Sequence, residues 1–173
     1  MYVRVDAPRA GGVLTSGRAQ AALAFLEACG GASEAAVRLV ASDAAGCLKV
    51  LRTTGFARRC FLPGQEALYV PAGVTPPTPA TYLGTVAMGW VAARAVEAGL
   101  AVTAGHIEMR SGEVYRICPW PASALPAGRL LLVVTGGPPP PAEYLCAAYA
   151  DLRTRGLRKV LFFGSASPAG TRT

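Results

Sequence analysis

The chain has one histidine, two lysines and no C-x-x-C pair, and each shortage closes a class of function. Its five cysteines (Cys29, Cys47, Cys60, Cys118, Cys146) are odd in number and widely scattered, so the spacings of a structural zinc site or a disulfide framework are missing. Charged residues make up only 16% of the 173 and hydrophobic ones 52%, a balance that excludes a disordered chain. The longest unbroken run of large apolar side chains, Leu130 to Val134, suits a buried strand and is far too short to cross a bilayer. The opening MYVRVDAPRAGG lacks the basic start and apolar middle of a signal peptide, so the expected compartment is the cytoplasm. No G-x-G-x-x-G or G-x-x-x-x-G-K-[ST] occurs, and in VVTGGPPPP four prolines remove the backbone N–H groups that would grip a phosphate. Ser165 and Ser167 sit in no G-x-S-x-G elbow. His106, beside Glu108, has no nucleophile at a telling spacing and reads as a packed or solvated side chain.

What the chain does have is arginine: 15 of its 17 basic residues, giving a net charge of +7. Guanidinium groups hold phosphate through paired hydrogen bonds, so this excess is compatible with nucleic acid. PAGVTPPTPA, residues 71–80, carries four prolines and a glycine and reads as an extended spacer. The expected organisation is therefore a unit over residues 1–72, a Pro-rich linker over 73–80 and a second unit over 81–173.

In the first unit, Ser16 is a candidate cap for a helix with Ala19, Ala22, Leu23 and Leu26 on one face, which stops at Gly30-Gly31. A short second helix starts at Ser33, with Glu34 suiting its dipole. A third starts at Ser42 or Asp43, turns Leu48 and Leu51 inward, presents Lys49, Arg52 and Thr53 outward and breaks at Gly55. Gly46 inside it costs on the order of 1 kcal/mol against alanine. FARRCFL, a Pro63-Gly64 turn and EALYV then read as a hairpin whose first strand carries Arg58 and Arg59.

Three helices and a hairpin in this order are those of a winged helix-turn-helix, whose last helix enters the DNA major groove. LKVLRTTGFARR followed by ALYVPAG resembles the helix-glycine-wing segment of bacterial winged-helix proteins of the replication-relaxation type, over roughly residues 16–73. The resemblance implies a regulator or replication accessory of a bacterial or mobile genetic element. The DNA contacts expected are Lys49, Arg52, Thr53, Arg58 and Arg59.

The second unit opens with a long helix from Pro79 to Gly99. LAVTAGHIEMR and GEVYRICPW read as a two-stranded hairpin, and RLLLVVTGG as a central strand covered on both faces. A helix over roughly residues 142–155 and a last strand, KVLFFGSA, would complete α-β-β-β-α-β with a right-handed crossover between parallel strands. DLRTRGLRK places four basic residues where they would add a phosphate-binding edge, or a solvated helix end.

That order is similar to the restriction-endonuclease-like core. The resemblance implies an acid on one core strand and an acid-x-lysine on the next, to hold magnesium and activate water. Leu130 to Val134 contains neither acid nor lysine. The expectation is therefore an α/β (α+β) protein whose second domain is catalytically degenerate, with no catalytic residue, metal or cofactor. The partner expected is double-stranded DNA, and no membrane. Two alternatives stand beside it: a metal-dependent nuclease using Glu97, Glu108 and Glu113, and an interaction module that forms a homodimer or joins a protein partner without binding DNA.

Overall fold

The computed structural model describes residues 2–7, 9 and 11–164. Ser165, Ser167 and the tail SPAGTRT lie outside the described residues.

The chain begins with a two-residue strand, β1 (Arg4–Val5), and reaches helix α1 (Gly17–Cys29). The Ser16 side chain accepts from the Ala19 amide, and Gly30 closes the helix in the left-handed conformation at φ 77°. Strand β2 (Ala32–Ser33) leads into α2 (Glu34–Val37), a single turn capped by Ser33. Helix α3 (Ala44–Thr53) is capped by Asp43 and buries Ala44, Cys47, Leu48 and Leu51. Strands β3 (Ala57–Phe61) and β4 (Leu68–Pro71) follow. Together they form an antiparallel sheet in the order β1-β3-β4-β2.

Helix α4 (Pro79–Glu97) starts on proline, which suits a first turn, and is buried over most of its surface. A second sheet has the order β10-β9-β8-β7-β6-β5 and is built from β5 (Ala101–Thr103), β6 (His106–Glu108), β7 (Val114–Trp120), β8 (Leu130–Val134), β9 (Leu145–Ala148) and β10 (Leu161–Phe163). A one-turn helix, α5 (Tyr149–Leu152), and a 3-10 turn at Leu157–Lys159 lie between the last two strands.

Three expectations for the second half are corrected. LAVTAGHIEMR is itself a hairpin, β5 and β6, turned at Ala104-Gly105, so the segment through β7 is a three-stranded meander and not a two-stranded hairpin. The helix expected over residues 142–155 is replaced by β9 and the single turn α5. Ala and Leu favour a helix there, but Cys146 and Ala147 gain parallel pairing with Leu132 and Val133 and full burial, and that tertiary gain outweighs local propensity. The parallel crossover from β8 to the last strand is therefore absent: β8 pairs in parallel with β7 and β9, and β10 runs antiparallel to β9.

The unbroken apolar run of β8 is explained by its position between β7 and β9. Leu131 and Val133 face the main core, which runs from α1, α3 and the first sheet through α4 into the second sheet. Leu130 and Leu132 face a smaller cluster with Cys118 and Cys146, covered in part by Trp120, Leu125, Tyr144 and Phe162.

One charged side chain lies inside this packing. Arg94 of α4 is 8% exposed and donates from Nε to the Leu152 carbonyl (2.7 Å), from Nη2 to the Arg153 carbonyl (3.2 Å) and from Nη1 to Glu97 (2.7 Å). It satisfies the carbonyls left open where α5 ends. Replacing it by leucine strips their donor and leaves Glu97 without its cation. Arg94→Leu is expected to lower stability by roughly 3 kcal/mol in urea unfolding, and Arg94→Lys by less.

Candidate nucleic-acid interface

The five residues expected to touch DNA fall on α3 and β3, in different surroundings. Lys49 and Thr53 are exposed on the outer face of α3, beside Val50, and the Thr53 hydroxyl donates back to the Val50 carbonyl (3.0 Å). Arg52, in the last turn of that helix, is engaged by Asp6. Its Nε lies 2.8 Å and its Nη2 2.5 Å from one carboxylate oxygen.

Gly55, at φ 80°, turns the chain from α3 into β3. Successive residues of a strand point to opposite faces, so Arg58 and Arg59 part company. Arg58 shares a face with Cys60, half-buried, and donates from Nη2 to the Val74 carbonyl (2.6 Å), while its buried Nε has no hydrogen-bond partner. Arg59 is exposed on the other face and carries no ion pair among the described residues.

β1 brings in residues that sequence reasoning missed. It lines the free edge of β3, with Arg4 opposite Phe61 and Val5 opposite Cys60, and the Asp6 amide donates to the Arg59 carbonyl (2.9 Å). The alternation in Tyr2-Val3-Arg4-Val5-Asp6 is the signal that could have revealed this strand. Two cavities meet at Asp6. One of about 340 Å³ is lined by Arg4, Val5, Asp6, Arg59 and Phe61. The other, about 80 Å³, has Arg9, Arg52 and Arg58 in its wall. Five arginines thus line two cavities that share one carboxylate, an excess of positive charge suited to a polyanion.

The far end of the β3–β4 hairpin is held. Glu66 accepts from Trp90 Nε1 of α4 (3.3 Å) and the Tyr149 hydroxyl of α5 (3.4 Å), and pairs with Arg153 (3.3 Å). Burial, reinforced by Glu66, pushes the Tyr149 phenol up to about 12. The Tyr82 hydroxyl lies between the carbonyls of Cys60 and Glu66 (2.9 and 2.8 Å) and accepts from the Leu68 amide (3.1 Å). The hairpin loop therefore rests on the second half of the chain, and its arginines are presented from the opposite end of β3.

The glutamates of the nuclease alternative do not form one cluster with a metal-binding arrangement among the described residues. Glu97 binds Arg94, Glu113 pairs with Arg129 and accepts from Ser111, and Glu108 is exposed on β6. Among the described residues, no group of three carboxylate, histidine or cysteine side chains is placed to hold a metal. His106 has its Nδ1 2.9 Å from the Ala104 carbonyl. In DLRTRGLRK, Arg153 pairs with Glu66 and Arg155 with Asp151, leaving Arg158 and Lys159 exposed.

The fold is thus mixed α/β, with an arginine-rich surface at one edge of its first sheet. No helix among the described residues is long and apolar enough to cross a membrane. No protein-family model matches the chain, and neither does any curated protein or solved structure.

Proposed function

We propose that the chain binds double-stranded DNA through α3, β3 and the N-terminal strand, as a winged helix carried on residues 81–164. The observation that carries this reading is that Arg4 and Arg59 line one cavity and Arg9, Arg52 and Arg58 another, and that the two share the Asp6 carboxylate. The element order α1-β2-α2-α3-β3-β4, with β4 between β2 and β3, agrees with a winged helix. The outer face of α3 offers Lys49, Thr53 and the apolar Val50, so backbone contact dominates and base reading is slight. Residues 81–164 hold the hairpin through Glu66.

The test is a salt titration on a short labelled duplex with magnesium present. Affinity is expected to fall by about tenfold or more between about 50 and 200 mM salt. The duplex should emerge intact on a denaturing gel. Arg52→Ala with Arg59→Ala should lower affinity by about tenfold or more and reduce the salt slope by about 2, one for each phosphate contact. Unchanged affinity and slope would remove the arginines from the interface.

A second reading has its own observation. Ala21, Ala24 and Ala28 of α1, with Val96 and Val102, line an apolar groove of about 340 Å³ that suits a protein partner. A stable complex that forms without any duplex affinity would favour it.

A further inference from the structure

We propose that the open face of β1 and β3 is a stacking platform for unpaired nucleotides, a second mode of binding beyond the duplex contacts. Alternation along the two strands sets its composition. Arg59 and Phe61 share one face of β3, Arg4 of β1 stands on the same side, and Tyr2 precedes Arg4 by two residues. The register puts Arg4 directly opposite Phe61, with Asp6 beside Arg59, so these side chains lie on a common surface.

Phenylalanine is among the residues most often buried, yet Phe61 is 38% exposed, and Tyr2 is 73% exposed. Neither Arg4 nor Arg59 has an ion pair among the described residues. Asp6, the nearest carboxylate, is already taken by Arg52. The surface therefore offers exposed rings near free guanidinium groups, and Phe61, Arg4 and Arg59 line the cavity of about 340 Å³.

That combination fits one occupant. A flexible single strand can lay a base on each ring while its phosphates meet the arginines, and its sequence matters little because every base has a π-face. A duplex keeps its bases stacked inside and can offer this face only phosphates. An acidic peptide would answer the arginines and leave the rings unused. The charge complementarity and the exposed rings together select the unpaired polynucleotide.

The experiment measures binding of labelled oligothymidylate, oligouridylate, an abasic strand of the same length and a hairpin duplex to the intact chain. Oligothymidylate is expected to bind about tenfold or more tighter than the abasic strand, which keeps the phosphates and lacks the bases. Tyr2→Ala with Phe61→Ala should abolish that advantage, so that oligothymidylate and the abasic strand bind alike. Tyr2→Phe with Phe61→Tyr should restore it, which a folding defect would not allow. Preference for oligouridylate over oligothymidylate would assign the platform to RNA, and the reverse to DNA.

Equal binding of the abasic strand and oligothymidylate by the parent chain, or an alanine variant that keeps the preference for oligothymidylate, overturns the platform. Duplex binding without single-strand binding removes this inference and leaves the proposed function. Single-strand binding without duplex binding does the opposite.

Discussion

Raised from pH 9 to pH 11 under reducing conditions, the protein is expected to lose several kcal/mol of stability and to unfold at a much lower temperature. The cause is the thiols. Burial pushes Cys29 up to about 12, and Cys60 and Cys146 up to about 11, from an ordinary 9.0. At Cys60 the Arg58 charge pulls the other way and Asp6 adds to the rise, but desolvation is the larger effect. Below pH 9 folded and unfolded chains hold the same protons and these groups leave stability untouched. Above it the unfolded chain releases three protons that the folded chain keeps, and each retained proton removes about 1.4 kcal/mol per pH unit. For Cys60 and Cys146 the loss levels off near pH 11, where the folded thiols ionise too, while Cys29 and Tyr149 continue toward about 12. Set against the roughly 5–15 kcal/mol that holds a domain together, the loss is a large fraction of the whole. Thermal melts followed by circular dichroism at closely spaced pH values would show it, and the slope should become shallower in Cys29→Ala with Cys146→Ala. A melting temperature that stays level from pH 9 to pH 11 would mean that the folded thiols titrate like free ones.

Gly89→Ala is expected to destabilise the protein by roughly 2 kcal/mol, although alanine is the better helix former by about 1 kcal/mol. Gly89 lies in the middle of α4, where that helix crosses β2. A methyl group there would stand 2.7 Å from the Gly31 carbonyl oxygen and 2.9 Å from Ala32 Cα. Both are backbone atoms with no rotamer to change, so relief requires α4 and β2 to separate across the shared core. The contrast is Gly17→Ala. At the first residue of α1 an added methyl group meets nothing within 4 Å, and the substitution should be neutral or stabilising by a few tenths of a kcal/mol. Urea unfolding of the two variants tests the pair directly. A Gly89→Ala protein as stable as the parent would show that α4 and β2 do not meet this closely.

The helices of the first half were legible because their signals are local. Ser16, Ser33 and Asp43 each bond to an amide three residues on, and Gly30 and Gly55 adopt the positive φ that ends a helix, so caps and stops follow from neighbouring residues alone. The basic candidates were legible by type. Their roles were not: Arg52 and Arg58 are engaged by Asp6 and the Val74 carbonyl, partners 46 and 16 residues away in the chain.

By itself the sequence determined the capped helices, the basic excess, the apolar run of β8 and the absence of metal-binding and nucleotide-loop spacings. Tertiary structure alone decided the rest. It made residues 145–148 a strand because pairing with β8 buries Cys146 and Ala147, laid Arg4–Val5 along the open edge of β3, and rested the hairpin loop on α4 and α5 through Glu66. The physical reason is common to all three. Caps and turns are settled by hydrogen bonds a few residues long, whereas an alanine-rich segment or a lone edge strand takes the conformation that its distant neighbours stabilise most.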